Sequence, residues 1–476
     1  MGTKSYKWES KGDPPVIEAH SIAKHEVLAA YLEKYVEVLA ANPVIDGLKL
    51  TLVDGFAGGG LYTHWDSKDI HLGSPFIMLN SMHAAEARIN SVRKKRFFLD
   101  VQYFFVEKSR IAADYLRNEL KKRVASSEFD ERIHVLPGTF EEHLDLLMDS
   151  IRKRGRARRC IFVLDQYGYS DVSMRSLRAI TQLPKAEVIL TFATDWLVDY
   201  LTDSPESQRL RKNLGIDLQL DLRALKREKP KEWRRIIEFK LHDQLQRKSG
   251  ARFYTPFFIA SPKAHRAYWL VHLSGHARAR DVMVGLHWQK QNYFAHYGRP
   301  GLHMLGYDPS KDPQITGQPA FPELLFDEVA ESRTAAALME ELPPRLQSYS
   351  EGVPFSELFA NLTNETPASS ENCSWGTGQE EGNRDHKPRH PKEAEINTEQ
   401  EQGSHPATDP AALVPAKVRQ LQAGRAAQGE IQSYRSPCFS IPGQGSSISR
   451  QIAETRCMSL RRSLCRLLSC GSLPTV

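Results

Sequence analysis

The chain has 476 residues, of which 41% are hydrophobic and 9% aromatic, and its formal charge is +6. These values are ordinary for a soluble globular protein. No apolar run is long enough to span a bilayer, and residues 1–13 lack the apolar segment of a signal peptide, so we expect a cytoplasmic protein with no membrane association. Mild basicity permits nucleic-acid binding but is weak evidence for it.

Between residues 16 and 200 the apolar pattern alternates between strands and helices. After a polar lead at residues 1–15, expected to be disordered, helical spacing predicts a helix over 21–41. Short apolar runs predict strands at 48–53, 101–106, 133–136, 160–164 and 188–192. Amphipathic stretches predict helices over 111–124, 140–154 and 174–183, and Ser74 is predicted to cap a further helix. This alternation predicts an α/β fold with a Rossmann-type, doubly wound and mostly parallel sheet over residues 16–200.

The rest of the chain divides by composition. Residues 201–250 are charged and helical, and we interpret them as a helical insertion. Residues 251–362 begin with two apolar runs around a polar turn, which predict a hairpin that completes the sheet, and continue with helices, the first over 276–297. Ser, Gly, Glu, Gln and Pro dominate residues 363–476, which are therefore predicted to form a disordered tail.

The cysteines do not form a metal or redox motif. Only Cys160 falls in the predicted sheet, and the other five lie in the predicted tail without Cys-x-x-Cys spacing. We therefore expect no metal site and no disulfide framework.

A glycine-rich loop directly follows the first predicted strand. Asp54, Phe56, Gly58 and Gly60 have the spacing Asp-x-Phe-x-Gly-x-Gly, and glycines let a backbone turn tightly and approach a ligand. Glu107 ends the second predicted strand and can accept hydrogen bonds from ribose hydroxyls. We therefore expect a nucleoside-containing cofactor here, with a structural glycine turn and a solvated carboxylate as the alternatives.

Polar residues also follow the third and fourth predicted strands. Thr139 either contacts the adenine of such a cofactor or caps the next helix. Asp165, followed by Tyr167 and Tyr169, resembles the Asp/Asn-Pro-Pro-Tyr/Phe motif of N6-adenine and N4-cytosine methyltransferases. In that motif an oxygen accepts a hydrogen bond from the target amine, and an aromatic ring stacks on the flipped base. Gln166 and Tyr167 replace the two prolines, which is a departure from the motif.

The sequence as a whole resembles the three-Cys-motif partner protein (TcmP-like) family of predicted S-adenosylmethionine-dependent methyltransferases. The matching residues are Lys24-His25-Glu26, Val53 to Gly60, Gly73-Ser74-Pro75, Val106-Glu107-Lys108, Leu164 to Ser170, Phe192 with Asp195-Trp196, and Tyr268 to His276. The resemblance covers about residues 17–300 and implies a class I methyltransferase-like fold with S-adenosylmethionine as cofactor. It also implies that Lys24 and His25 face the mouth of the active site, and it leaves room for a protein partner.

We therefore predict methylation of an exocyclic amine of a nucleic-acid base, adenine N6-like, in DNA or RNA. The catalytic residues would be Asp165, Tyr167 and Tyr169. The cofactor would be held by Asp54, Phe56, Gly58, Gly60, Glu107 and Thr139. The substrate would contact Lys24, His25 and Ser74. The alternative, motivated by the altered motif, is a cofactor- or nucleotide-binding partner module without catalysis. An oxidoreductase ranks last because Gly-x-Gly-x-x-Gly is absent.

A basic run over residues 152–159 allows phosphate contacts, but we favour a solvated connection between elements.

Overall fold

The computed structural model describes residues 6–9, 12–155, 158–166, 170–192, 194–230, 233–261, 266–290, 294–296, 324–325, 328–349, 352–364, 366, 368–371 and 373. The strands are β1 Val16–Ile17, β2 Gly47–Asp54, β3 Leu61–His64, β4 Ile70–Leu72, β5 Phe98–Glu107, β6 Ile133–Pro137, β7 Arg159–Leu164, β8 Ala186–Phe192, β9 Phe253–Ser261, β10 Arg266–Ser274, β11 Phe294–His296 and β12 Leu324–Leu325.

The helices alternate with the strands through the first half of the chain and then form a continuous run after β8. They are α1 Ala19–Ala40, α2 Ser74–Val92, α3 Arg110–Arg123, α4 Ser126–Arg132, α5 Phe140–Lys153, α6 Met174–Thr181, α7 Thr194–Tyr200, α8 Pro205–Leu214, α9 Leu222–Glu228, α10 Trp233–Lys248, α11 Ala277–Lys290, α12 Glu328–Gln347 and α13 Phe355–Leu362. No helix among the described residues has the length and apolarity needed to cross a membrane.

The main sheet has the strand order β12-β11-β9-β10-β8-β7-β2-β5-β6. The five strands from β8 to β6 are mutually parallel, and β10 joins β8 in the antiparallel sense as part of the β9–β10 hairpin. Chain order reverses at β2, because β5 and β6 lie on one side of it and β7 and β8 on the other. This is the doubly wound arrangement, in which ligands bind at the carboxyl ends of the strands beside the switch point. The predicted fold class is thus confirmed.

Both faces of the sheet are covered by helices, and alternate residues of each strand point to opposite faces. On β5, Val101, Tyr103 and Phe105 pack in a cluster with α1, α2 and α11, whereas Phe104 and Val106 pack in a second cluster with α5, α6 and α10. Strands covered on both faces read as continuous apolar runs, which is why the sequence located them.

The short strands outside the parallel part of the main sheet were not predicted from the sequence. Residues 61–72 form the β3–β4 hairpin, which pairs with β1 in a separate small sheet. The helix predicted over 276–297 ends at Lys290, and β11 follows it. These strands have two to four residues, too few to show a period of two.

Gly60 occupies a position that only glycine tolerates, and replacing it by alanine is expected to lower the free energy of unfolding by about 2 kcal/mol. Its φ is +78°, and a Cβ there would lie 2.6 Å from Leu116 Cδ1 and 2.9 Å from Phe76 Cε2. Urea unfolding measures the loss. Gly155→Ala is the matched control, because Gly155 has a φ of +85° but open space around it. Equal losses in both variants would contradict the packing argument.

Candidate active site

Three carboxylates lie at the carboxyl edge of the parallel strands. Asp54 ends β2, Glu107 ends β5, and Asp165 directly follows β7. Since β5 and β7 flank β2 in register, their ends meet at one point of the sheet. The strand order therefore brings together the residues that were predicted to bind the cofactor and the target amine.

The loop after β2 is fastened to the neighbouring strand by Glu107. Glu107 Oε2 accepts a hydrogen bond from the Gly58 backbone N at 2.9 Å, and its Oε1 accepts one from Ser109 N at 2.7 Å. Burial raises the pKa of Glu107 even though both N–H groups favour its charged form. A carboxylate has about four acceptor sites, so Glu107 keeps capacity for further donors. Its side chain thus faces the glycine loop rather than solvent.

Asp54 is the most buried of the three carboxylates, with 1% of its surface exposed. Its Oδ1 accepts a hydrogen bond from Phe56 N at 3.0 Å, while its Oδ2 is buried with no hydrogen bond within the described part of the chain. Burial raises the pKa of Asp54 to about 7, and the hydroxyl of Ser74 opposes this rise. Ser74 is the first residue of α2 and Gly73 is the N-cap, so the prediction that Ser74 caps this helix is wrong.

The Asp54 carboxyl should make stability depend on pH. Its folded pKa lies above its ordinary value, so its contribution is fully present below about pH 4 and is lost as the pH rises through about 7. Between pH 4 and 8 we expect the free energy of unfolding to fall less in Asp54→Asn than in the wild type, by at least about 1.4 kcal/mol. Thermal unfolding from pH 4 to 8 measures it. Asp149→Asn, an exposed carboxylate on α5, is the control; an unchanged profile in Asp54→Asn would refute the assignment.

Lys24 and Asp165 form an ion pair across the site. The Lys24 Nζ lies 2.6 Å from each carboxylate oxygen of Asp165, and the exposed fractions of the two side chains are 11% and 32%. Burial disfavours the charged form of Asp165, but the Lys24 ammonium outweighs it, and the pKa of Asp165 lies below its ordinary value. The Thr191 hydroxyl on β8 adds to this lowering. The pair therefore presents an ionised, oriented acceptor at the edge of the sheet.

His25 lies next to Lys24 on α1 but faces the β3–β4 hairpin. Its Nδ1 is 3.2 Å from His71 Nε2, and the two rings stack with centroids 5.4 Å apart. Burial lowers the pKa of His25 to about 3, so the ring is neutral at physiological pH. Tyr62 of β3 packs against the same ring. His71 and Tyr62 could not be predicted as site residues, because their strands are too short to give a periodic pattern.

Thr139 has a structural role at the start of α5. Its hydroxyl accepts a hydrogen bond from Glu142 N at 3.3 Å, and the Glu142 carboxylate accepts one from Thr139 N at 2.7 Å. This is a capping box, so the helix-cap interpretation accounts for Thr139. Phe56 packs near Phe140 with ring centroids 6.3 Å apart, as part of the core beneath the loop.

The segment after Asp165 contains the departures from the base-methyltransferase motif. Tyr167 and Tyr169 lie outside the described residues. Gln166 is 2% exposed, and its Oε1 accepts a hydrogen bond from Asp171 N at 3.1 Å. Its Nε2 is buried without an acceptor among the residues that the structure describes. The Gln166 side chain thus binds the Asp171 backbone, a hydrogen bond that a proline could not make.

Trp8, which no sequence motif marked as functional, contacts the glycine loop. Its Nε1 donates a hydrogen bond to the Leu61 carbonyl oxygen at 2.8 Å, and the side chain is buried. A Cβ added to Gly58 would lie 2.8 Å from Trp8 Cη2, and one added to Gly59 would lie closer still to the indole. Composition placed this residue in a disordered lead, whereas aromatic contacts order it.

The basic run lies at the opposite end of the sheet. Arg159 begins β7, whereas Asp165 follows its other end. Arg154 pairs with Asp100, and Arg158 donates a hydrogen bond to the Gly155 carbonyl oxygen. Arg154 and Arg158 therefore bind groups at this end of the sheet, away from the three carboxylates. Nor does any group of His, Cys, Asp and Glu within the described ranges have the arrangement of a metal site.

Neither a protein-family model nor a curated protein matches the sequence. Among solved structures, the chain is similar to a protein of Legionella pneumophila, at 9% identity and a TM-score of 0.30 over 54% of this chain and 86% of that one. It is also similar to a putative S-adenosylmethionine-dependent methyltransferase of Methanococcus maripaludis, at 11% identity and a TM-score of 0.23 over 55% and 97%. The third is a Bacillus cereus O-methyltransferase in complex with S-adenosylhomocysteine, at 12% identity and a TM-score of 0.24 over 54% and 92%. Likeness at this level does not assign an activity, and the fold class follows from the strand order itself.

Proposed function

We propose that the protein is an S-adenosylmethionine-dependent methyltransferase that acts on an exocyclic amine of a nucleic-acid base. The observation that carries this proposal is the convergence of Asp54, Glu107 and Asp165 around the glycine loop at the switch point of a parallel sheet. Within this edge of the sheet, the proposed cofactor-binding residues and the proposed amine-binding residues lie on different strands. Asp54 and Glu107 lie on the β2–β5 side, and Asp165 with Lys24 lies on the β7 side.

The residues on the β2–β5 side fit S-adenosylmethionine. This cofactor carries a ribose diol, for which Glu107 retains acceptor capacity at a strand end, where nucleosides bind in doubly wound folds. The buried Asp54 carboxyl, which interacts with Phe56 N and with the Ser74 hydroxyl, lies at the neighbouring strand end. Carboxylates also favour the positive sulfonium and ammonium groups of the cofactor. When bound, the cofactor supplies a methyl group that is electrophilic enough to need no metal.

The ion pair on the β7 side fits an amine as methyl acceptor. An exocyclic amine donates N–H groups, and the Asp165 carboxylate accepts them and so turns the nitrogen lone pair away from itself. In the structure the Lys24 ammonium takes this place on both oxygens at 2.6 Å. A substrate amine would replace Lys24 at one oxygen, while Lys24 at the other keeps the carboxylate ionised and oriented.

The charge of the insertion supports a polyanionic substrate. Residues 205–248 carry 13 Lys and Arg against 7 Asp and Glu, an excess that matches the +6 of the whole chain. The segment leaves the sheet after β8, at the edge where Asp165 lies. The end of α8 packs against the start of α6, because a Cβ on Gly215 would lie 3.2 Å from Met174 Cβ. Arg209, Lys212 and Arg223 are exposed on it. Such residues can neutralise backbone phosphates.

A methyl-transfer assay tests this proposal. The full chain would be incubated with tritiated S-adenosylmethionine and with duplex DNA, single-stranded DNA, ribosomal RNA or a protein mixture. Transfer to a nucleic acid, followed by digestion and identification of an N-methylated base, is the expected result. Cofactor binding without transfer to any nucleic acid would instead favour a partner module whose altered motif no longer catalyses. Transfer to protein alone would contradict the proposed substrate.

A further inference from the structure

We propose that residues 6–9, the N-terminal strap, gate the cofactor site, and that Trp8 leaves the glycine loop when S-adenosylmethionine enters. This inference rests on the proposed cofactor. It concerns a part of the chain, however, that neither the strand ends nor the glycine spacing implicates.

The contact surface of the indole carries the inference. Trp8 lies directly on the Cα atoms of Gly58 and Gly59, since a Cβ on either residue would collide with the ring. By contrast, a Cβ on Gly60 would point into the core toward Leu116. The two glycine faces that open away from the core are therefore already occupied. A backbone face can contact the indole or a cofactor, but not both at once.

The strap is held by aromatic contacts and by single hydrogen bonds of its side chains, among them one between Tyr6 and Ser21. Trp8 makes its one side-chain hydrogen bond to the Leu61 carbonyl oxygen, and its ring meets Tyr62 edge-on with centroids 5.5 Å apart. Tyr6 meets Tyr62 in the same way at 5.1 Å, and its hydroxyl accepts a hydrogen bond from Glu18 N at 3.4 Å. Edge-on aromatic pairs contribute about 0.5–1.5 kcal/mol each. Tyr62 stays in place when Trp8 lifts, because it belongs to β3.

Each oxygen of Glu107 has a hydrogen-bond donor from the glycine loop or from the start of α3. Both of its oxygens accept backbone N–H groups, from Gly58 and from Ser109. Glu107 therefore keeps its hydrogen bonds without any contribution from the strap, and the closed state, with the indole on Gly58 and Gly59, is the resting form. Cofactor binding must draw on a minor open state, and the apparent affinity is reduced by the fraction of molecules that are open.

Removing the indole should therefore strengthen cofactor binding. If the open state is populated at about 10%, Trp8→Ala lowers the apparent dissociation constant for S-adenosylmethionine about tenfold and speeds association. Trp8→Phe should give a smaller change in the same direction. Trp65→Ala is the matched control, because Trp65 lies in the β3–β4 hairpin at 43% exposure and not on the glycines. Stopped-flow association and calorimetry on the full chain measure both quantities.

Hydrogen exchange provides a second readout that needs no ligand. In Trp8→Ala, peptides spanning residues 55–62 should exchange faster than in the wild type and in Trp65→Ala. Unchanged exchange would show that Trp8 does not cover the loop, which overturns the gate. Faster exchange together with unchanged or weaker cofactor binding would show that Trp8 does not compete with the cofactor, which also overturns the gate. Faster exchange with no cofactor bound by any variant would overturn the proposed function, and the gate with it.

Discussion

Replacing Asp165 by alanine is expected to lower the rate of methyl transfer at least about 100-fold, the usual effect of deleting a preorganised group that holds the reacting atoms. The variant would leave Lys24 without its partner at 2.6 Å and the target amine without an acceptor. The dissociation constant for S-adenosylmethionine should change by less than about twofold, because the glycine loop and Glu107 belong to other strands. Single-turnover kinetics with saturating cofactor separates the two effects.

Asp171→Ala is the matched control for that experiment. Asp171 is an exposed carboxylate near Asp165, and its backbone N–H, which holds Gln166, is kept in the variant. We expect a rate close to the wild-type rate. If Asp165→Ala and Asp171→Ala lose the same activity, or if Asp165→Ala loses only cofactor affinity, Asp165 does not orient the acceptor.

Glu107→Ala should weaken the binding of S-adenosylmethionine about 100-fold, because a hydrogen bond to a charged group contributes about 1.5–3 kcal/mol. The variant loses the acceptor for the ribose and frees Gly58 N and Ser109 N from the carboxylate that orders the loop. Glu107→Gln keeps one acceptor oxygen and should fall in between, near tenfold weaker by the same reasoning, about half the free energy.

Glu131→Ala, an exposed carboxylate at the end of α4, is the control for Glu107. Circular dichroism and urea unfolding of all variants exclude a general loss of fold. Equal affinities in Glu107→Ala and Glu131→Ala would remove Glu107 from the cofactor site.

The sequence predicted those parts of the site that follow from strand ends. Asp54, Glu107 and Asp165 each follow an apolar run, and the carboxyl ends of parallel strands must lie at one edge of the sheet. The capping box of Thr139 was also legible, because Glu142 stands three residues after the threonine. Lys24 came from the family resemblance alone, since no local pattern shows that a helix residue will meet a carboxylate 141 positions away.

The parts that the sequence did not predict are held by contacts between distant segments. Trp8 stands among polar residues, so composition alone predicted disorder. In the structure, its indole packs against two glycines and Tyr62. His71 lies in a three-residue strand that carries no periodic signal. Beyond Thr363, Ala368 and Cys373 are buried, and Arg280 of α11 donates to the Thr366 and Ala368 carbonyl oxygens. Such pairings depend on tertiary neighbours.

The most direct test of the central claim is isothermal titration of S-adenosylhomocysteine into the full chain and into Trp8→Ala. We predict saturable binding at one site per chain in both proteins, tighter in Trp8→Ala and greatly weakened when Glu107→Ala is added. Absence of binding by both proteins at millimolar ligand would contradict the account, because the glycine loop and the Glu107 carboxylate would then serve only to hold the strap.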